Sequence, residues 1–348
     1  MTNKPAPETP RTASGRGGMK EVADRAGVAV SSVSRVLSGH RDVSEVMRNR
    51  VFDAVAALGY EPDILAQSMR TGETMTIAFI VSDISNPLMS EIALGAETTL
   101  REAGYAMILV NSMNQPDLEL EYISLMKRRR VDGMLLSLAD ENHPELRGTL
   151  EKVTVPIVLV DRQLKKLENS AMVFSDHRSG MEAALERLHS LGHRSIALIN
   201  GSLDVRPSRE RGKAVRHFAK VHPDTTCTVR SGSFTGSFGY AATRELLRES
   251  ARPTALVSGS NQILVGVLRA LRELKVEVPS DISLITCDDS PLAEFMTPAL
   301  DTIMRSPKDL GTQAATTVLS LLRGLPVDQP HLPTTYQQRA SSAPPPTL

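Results

Sequence analysis

VAVSSVSRVLSGH, residues 28–40, packs four serines, four valines and one arginine into one short stretch. A helix over residues 31–37, stopped by Ser38-Gly39, turns Val33, Val36 and Leu37 toward a small core. That leaves Val30, Ser31, Ser32, Ser34 and Arg35 for the outer face and the helix N-terminus. Short side chains let a helix sink into the DNA major groove. A serine hydroxyl can meet a phosphate or base edge, a valine methyl can meet a thymine methyl, and arginine can grip guanine at two points. A surface helix with solvated serines fits these residues equally well, so the decision rests on what surrounds them.

Upstream, Met19 to Ala26 reads as a helix stopped by Gly27. Downstream, Ser44 caps a third helix carrying Met47, Val51, Val55 and Leu58 on one stripe, and Gly59 ends it. Helix, tight turn, helix is the helix-turn-helix layout. Pro62 then starts a further short helix in the linker EPDILAQSMRTGET. Residues 1–18, rich in Pro, Thr, Ser and Gly, read as an unstructured tail. From Met75 the pattern changes. TIAFIV, YAMILV, VDGMLLS, VPIVLV, SIALIN, PTALVS and DISLITC are compact apolar runs, mostly separated by helical stretches. Such alternation predicts parallel sheets covered by helices on both faces, with enough strands for two sheets. The Pro-rich stretch after Pro330 lacks a heptad pattern.

The whole chain has 348 residues, enough for two or three cores, and a formal net charge of zero. Neutrality counts against a nucleic-acid partner unless the positive charge is local. It is local here: Arg35, Arg41, Arg48 and Arg50 crowd the second helix, its loop and the start of the third. One of Arg48 and Arg50 is expected to be no more than a solvated helix residue. No apolar run is long enough to cross a bilayer and the N-terminus lacks a signal-peptide core, so a cytoplasmic protein is expected, with no membrane partner. Cys227 and Cys287 read as reduced core thiols. GRGG at 15–18 follows no strand, and no Walker loop, HExxH or GxSxG occurs. His189 and His193 are separated by Gly192 with no third ligand in evidence, so neither a metal nor a cofactor is expected.

Residues 19–88 closely resemble the lactose-repressor/galactose-repressor family of bacterial transcription regulators. The resemblance is carried by Val22-Ala23, Ala26-Gly27-Val28, Val33-Ser34-Arg35-Val36-Leu37, Val43-Ser44, Leu58-Gly59-Tyr60, Pro62, Ala66 and Arg70-Thr71-Gly72. It continues through REAGY, RRVDG, VLVDR, LGHRSIALI, VPSDISLI and MTPALDTI to about residue 340. The resemblance implies a small all-α helix-turn-helix domain (19–61), a hinge helix and linker (62–74), and a periplasmic-binding-protein-like α/β core (75–340). That core would hold two doubly wound parallel-sheet subdomains joined by three crossovers, serving effector binding and dimerisation, with an unstructured tail at 341–348. It also implies hinge helices that pair across a homodimer and wedge the minor groove, with Met69 where the family usually has leucine. Expected DNA-binding residues are therefore Val30, Ser31, Ser32, Ser34, Arg35, Arg41, Ala66 and Met69.

Doubly wound folds hold ligands beyond the carboxyl ends of their strands. The loops there offer Asn86 and Leu88 after the first strand, Asp161 after VPIVLV, and Asp288 after DISLITC. The resemblance adds Arg209 as the effector-gripping arginine, Phe234 as an aromatic lid, and Asn261 where many relatives carry aspartate. For Arg209 the plainer alternative is a surface ion pair. Losing the aspartate charge at 261 leaves Arg209 less neutralised and tilts the expected effector toward an anion, among sugars, sugar acids and other small carboxylates. The function implied is a regulator, most simply a repressor, that binds a near-palindromic double-stranded operator and answers to that effector. A transport-associated solute-binding protein would need an export signal and would not carry residues 19–72, and a sugar-modifying enzyme would need a catalytic set that the spacing does not offer.

Overall fold

The computed structural model describes residues 18–37, 40, 42–60, 72–164 and 167–346. The chain forms two compact units, Met1–Thr74 and Met75–Leu348.

In the first unit, α1 (Met19–Ala26), α2 (Val30–Leu37) and α3 (Glu45–Leu58) enclose a core of Val22, Ala23, Ala26, Val33, Val36, Val51 and Ala54. Ser44 caps α3, its hydroxyl accepting from the Met47 N–H at 3.3 Å. Gly27 ends α1 with φ 63°, a conformation that favours glycine. A Cβ there would also lie 2.5 Å from Nη2 of Arg50, which donates to the Gly27 carbonyl at 3.4 Å. Arg50 thus fastens the turn between the first two helices.

The second unit opens with β1 (Thr76–Val81), α4 (Pro87–Glu102), β2 (Ala106–Asn111), α5 (Pro116–Arg128), β3 (Gly133–Ser137), α6 (Leu146–Leu150), β4 (Ile157–Val160) and β5 (Ser170–Ser175). There follow α7 (Ser179–Ser190), β6 (Ser195–Asn200), α8 (Arg206–Val221), β7 (Thr226–Ser231), α9 (Gly236–Leu246), β8 (Ala255–Ser258), α10 (Asn261–Leu274), β9 (Ser283–Cys287), α11 (Pro291–Phe295) and β10 (Asp301–Met304). The chain then adds α12 (Pro307–Leu322), β11 (His331–Leu332) and β12 (Thr335–Gln337). Two sheets result, with strand orders β2-β1-β3-β4-β5-β11 and β7-β6-β8-β9-β10-β12. All pairings are parallel except β12 on β10. Central strands such as GMLLS and SLITC are buried along their whole length because helices cover both faces.

The chain passes between the subdomains three times: between β5 and α7, between β10 and α12, and between β11 and β12. The second passage brings α12 back onto α4, where Leu310, Ala314 and Val318 join the first core. The two helices approach closely because Gly95 and Gly311 face them. A Cβ at Gly311 would lie 1.9 Å from the Ile92 carbonyl oxygen. Gly311→Val should therefore overpack the crossing and cost about 3 kcal/mol, read as a lower urea midpoint.

The expected unstructured tail from 341 requires correction as far as residue 346. Ser341 is fully buried, and its carbonyl accepts from the Leu284 N–H at 2.9 Å. The Ala343 carbonyl accepts from Ser283 Oγ at 3.0 Å. Small side chains at 341–343 let this strand-like segment lie against the start of β9, which the Pro-rich composition concealed. No helix among the described residues is long and apolar enough to cross a membrane.

Candidate functional site

In the first unit, α2 presents Val30, Ser31 and Arg35 to solvent and half-buries Ser32 and Ser34. Val33 and Val36 are the buried anchors that hold this face outward. Val30 is 43% exposed, which a core role would not allow. The expected contacts Arg41, Ala66 and Met69 lie outside the described residues.

In the second unit, a cleft is lined by the segments that follow successive strands. Ser82, Asp83, Asn86 and Leu88 come after β1, Asn114 after β2, Ala139 after β3, and Asp161 and Arg162 after β4. From the other subdomain come Val205, Pro207 and Arg211 after β6, Phe234 after β7, Ser260 and Gln262 after β8, Asp288 after β9 and Arg305 after β10. The cavity between them measures about 60 Å³, which admits a few waters. Contacts across the cleft hold it narrow. Asn261 Nδ2 donates to Asn86 Oδ1 at 3.0 Å, Gln262 Nε2 to Asp83 Oδ2 at 2.9 Å, and the Arg206 N–H to Glu141 Oε1 at 2.7 Å.

Asp161 and Asp288 occupy corresponding places, each ending the fourth strand of its sheet at positive φ, 54° and 68°. Left-handed backbone costs a residue with a Cβ about 1–2 kcal/mol, and aspartate tolerates it better than most. Both carboxylates are buried, and Arg305 joins them, its Nε donating to Asp288 at 2.7 Å and its Nη1 to Asp161. Asp161 also accepts from the Ser175 N–H at 2.7 Å and lies 3.1 Å from His177 Nε2. Burial alone would raise both carboxyl pKa values. For Asp161, His177, Arg305 and the Ser175 N–H outweigh it and hold the value well below the ordinary one. For Asp288, Arg305 and Arg211 do the same. Burial pushes His177 down to about 4 despite Asp161. Arg305 and His177 sit on two of the crossovers between subdomains, so the charged floor of the cleft and its hinge are one structure.

Asn86, Leu88, Asp161, Phe234 and Asp288 all line the cavity. Asn86 also caps α4, accepting from the Leu88 N–H at 3.1 Å. Phe234 lies over Gly201, where a Cβ would come within 2.0 Å of the ring. Arg209 does not line the cavity; it reaches instead to a buried carboxylate of the other subdomain. Its guanidinium pairs with Glu141 and donates to the Leu203 carbonyl at 3.1 Å. Two residues along a helix turn by about 200°, so Arg211 takes the place in the cleft. It donates to the Gly259 carbonyl at 2.7 Å and lies 3.9 Å from Asp288. Asn261 stands beside the cavity, bonded to Asn86, while its neighbours Ser260 and Gln262 reach the lining. Arg305, Arg211 and Gln262 were not among the expected residues. Arg305 would have been found by the strand-end rule had DTIM been recognised as a strand.

Beneath the cleft, Glu119 is buried and accepts from the Ala139 N–H at 3.1 and 3.2 Å. Burial raises its pKa to about 7 against the opposing pull of that N–H and Arg162. The folded chain therefore keeps a proton that the unfolded chain releases near pH 4.5, so this contribution is lost as pH rises from about 4.5 through 7. Glu119→Gln keeps the acceptor and removes the titration. Its stability relative to the parent should rise by about 3 kcal/mol between pH 5 and 8, measured by urea unfolding across that range.

The sequence model described as bacterial regulatory proteins, lacI family, matches residues 18–63, and the periplasmic binding protein-like domain matches residues 185–342. The chain is 34% identical over 332 residues to the ribose operon repressor of Escherichia coli (strain K12), covering 94% of this chain and 97% of that protein. It is 32% identical to the HTH-type transcriptional repressor PurR of Serratia proteamaculans (strain 568), covering 86% of this chain and 89% of that one. Among solved structures, the lac repressor dimer bound to operator and the anti-inducer ONPF superposes with a TM-score of 0.82 at 25% identity, covering 94% and 99% of the two chains. A LacI family transcriptional regulator from Enterococcus faecium with bound ribose gives 0.69 at 27% identity, covering 77% and 99%. The match of residues 18–63 to the lacI-family model and 34% identity over 94% of the chain to a repressor lead to one conclusion: the chain belongs to the LacI family of bacterial regulatory proteins.

Proposed function

We propose that this protein represses transcription in the cytoplasm by binding a near-palindromic operator as a homodimer, and that a small neutral sugar of the pentose class sets its operator affinity. The charge balance of the cleft carries the sugar assignment. Arg162, Arg211 and Arg305 are matched by Asp83, Asp161 and Asp288. Carboxylates accept pairs of hydroxyl hydrogen bonds and guanidinium groups donate to hydroxyl oxygens, so a neutral polyol suits such a lining. The tilt toward an anion rested on an incompletely neutralised Arg209. Glu141 supplies that neutralisation, so the reason for an anion disappears. The ribose named for the E. coli repressor and for the E. faecium structure agrees in chemistry.

A second copy has a place to dock. Val265 (55% exposed) and Leu292 (40%) border a largely apolar groove floored by Leu268, Leu271 and Leu300 and edged by Arg269, Arg272 and Glu277. One helix-turn-helix reads only a few base pairs, and a dimer supplies two. The cleft is narrowed by the Asn261–Asn86, Gln262–Asp83 and Arg206–Glu141 contacts across it, so ligand entry is expected to part the subdomains at the three crossovers. Calorimetry of the full chain with D-ribose, other aldopentoses and the matching aldonic acids tests the ligand class. Saturable binding of a neutral pentose, with the acids at least about tenfold weaker, is expected. Binding of the acids alone would overturn the assignment.

A further inference from the structure

Far from the cleft, the ends of α7 and α8 bring together side chains with the chemistry of a metal site. Glu186 and His189 are three apart on α7 and share a face. His222 ends α8, and Asp224 follows two residues later. One ligand atom each from His189, His222 and Asp224 lies within 4.8 Å of the other two. His189 Nε2 is 3.3 Å from both Asp224 oxygens, and His222 Nε2 is 2.8 Å from Glu186 Oε1.

The two imidazoles are held in place. Phe218, itself buried, stacks on His222 at 4.3 Å and meets His189 edge-on at 6.0 Å. The rings lie 4.3 Å apart, and both histidines are half-buried. Arg194 engages Asp224 Oδ2 at 2.7 Å, which offsets part of the carboxylate charge, and Thr225 Oγ1 donates to Oδ1 at 3.3 Å, so the carboxylate is fixed in orientation. From spacing alone only His193 could be weighed as a partner for His189, and no metal was expected. His193 points elsewhere, bonded to Thr254 at 2.8 Å and Ser283 at 3.0 Å, and the missing ligands come instead from the next helix.

Zinc-class ions take imidazole nitrogen and carboxylate oxygen at about 2.0–2.2 Å, which sets ligand atoms about 3.3 Å apart around a tetrahedral centre. We propose that His189, His222 and Asp224 bind one divalent transition-metal ion of the zinc class, clamping the end of α7 to the end of α8, with Glu186 hydrogen-bonded to His222. Nitrogen and oxygen donors without thiolate suit Zn(II), Co(II) or Ni(II) better than Cu(I), and imidazole disfavours Mg(II) and Ca(II). The helix so clamped begins at Arg206 and carries Arg211 in the cleft, yet the cluster shares no residue with the cleft lining.

The test uses the full chain, stripped with a chelator and titrated with Zn(II) by calorimetry and with Co(II) by visible absorption. One ion per chain is expected, with a Co(II) ligand-field band. His189→Ala and His222→Ala should each weaken binding at least about tenfold and lose the band. Asp224→Asn, at an exposed side chain, guards against misfolding and should weaken binding as well. His217→Ala, an exposed histidine outside the cluster, should bind like the parent. Absence of Zn(II) and Co(II) binding by the parent, or equal affinity in both histidine variants, would overturn the site.

Discussion

Arg305→Ala should lower unfolding stability by about 3–5 kcal/mol and abolish the response to ligand, because it strands two buried carboxylates. Asp161 and Asp288 now share that guanidinium in a site where both are almost fully buried. Their depressed pKa values contribute stability that is present above about pH 4 and lost as pH falls through the folded-state values. Without Arg305 both values rise, so the gap between parent and variant should narrow as pH falls toward 3. Removing all three charges, with Arg305→Met, Asp161→Asn and Asp288→Asn, should return most of the stability but none of the ligand response. Urea midpoints and calorimetry separate the two effects. Equal midpoints for parent and Arg305→Ala would show that the charged floor does not hold the hinge.

The second large effect is expected on α2. Arg35→Ala should weaken specific operator binding by about 1–3 kcal/mol, roughly tenfold to a hundredfold, while non-specific binding changes little. Exchanging Val30 and Ser31 for other pairs should change the preferred sequence rather than remove binding, since the buried Val33 and Val36 still anchor the helix. Selection from a random DNA library reads this directly. Recovery of one site by every exchange would place base recognition elsewhere.

Much of this architecture was legible in the sequence because its signals are periodic. TIAFIV, VPIVLV and SIALIN are buried along nearly their whole length and read as strands without ambiguity. Strands lacking such a run escaped notice. TCTVRS is a half-exposed edge strand, and DTIM is only four residues long. The helix PKDLGTQAATTVLSLL was hidden by its glycine and threonines, which are there so that α12 can press against α4. The cleft followed the same rule. Asp161 and Asp288 were visible as the residues after clear strands, whereas Arg305 followed an unrecognised one. Arg209 came from the resemblance alone, and it differs from Arg211 in helical phase, which residue type and spacing after the strand do not resolve. The metal cluster depends on two helix ends meeting, and no local spacing encodes that.

The central claim is that occupation of the cleft changes operator affinity. The most direct measurement is the affinity of the full chain for a labelled palindromic duplex, obtained by library selection, titrated with and without saturating D-ribose or the neutral pentose that calorimetry ranks first. The parent should shift by at least about fivefold, the usual scale of allosteric coupling, and Asp288→Asn should shift far less. Identical operator affinity at every ligand concentration, in a parent that demonstrably binds the sugar, would contradict the account.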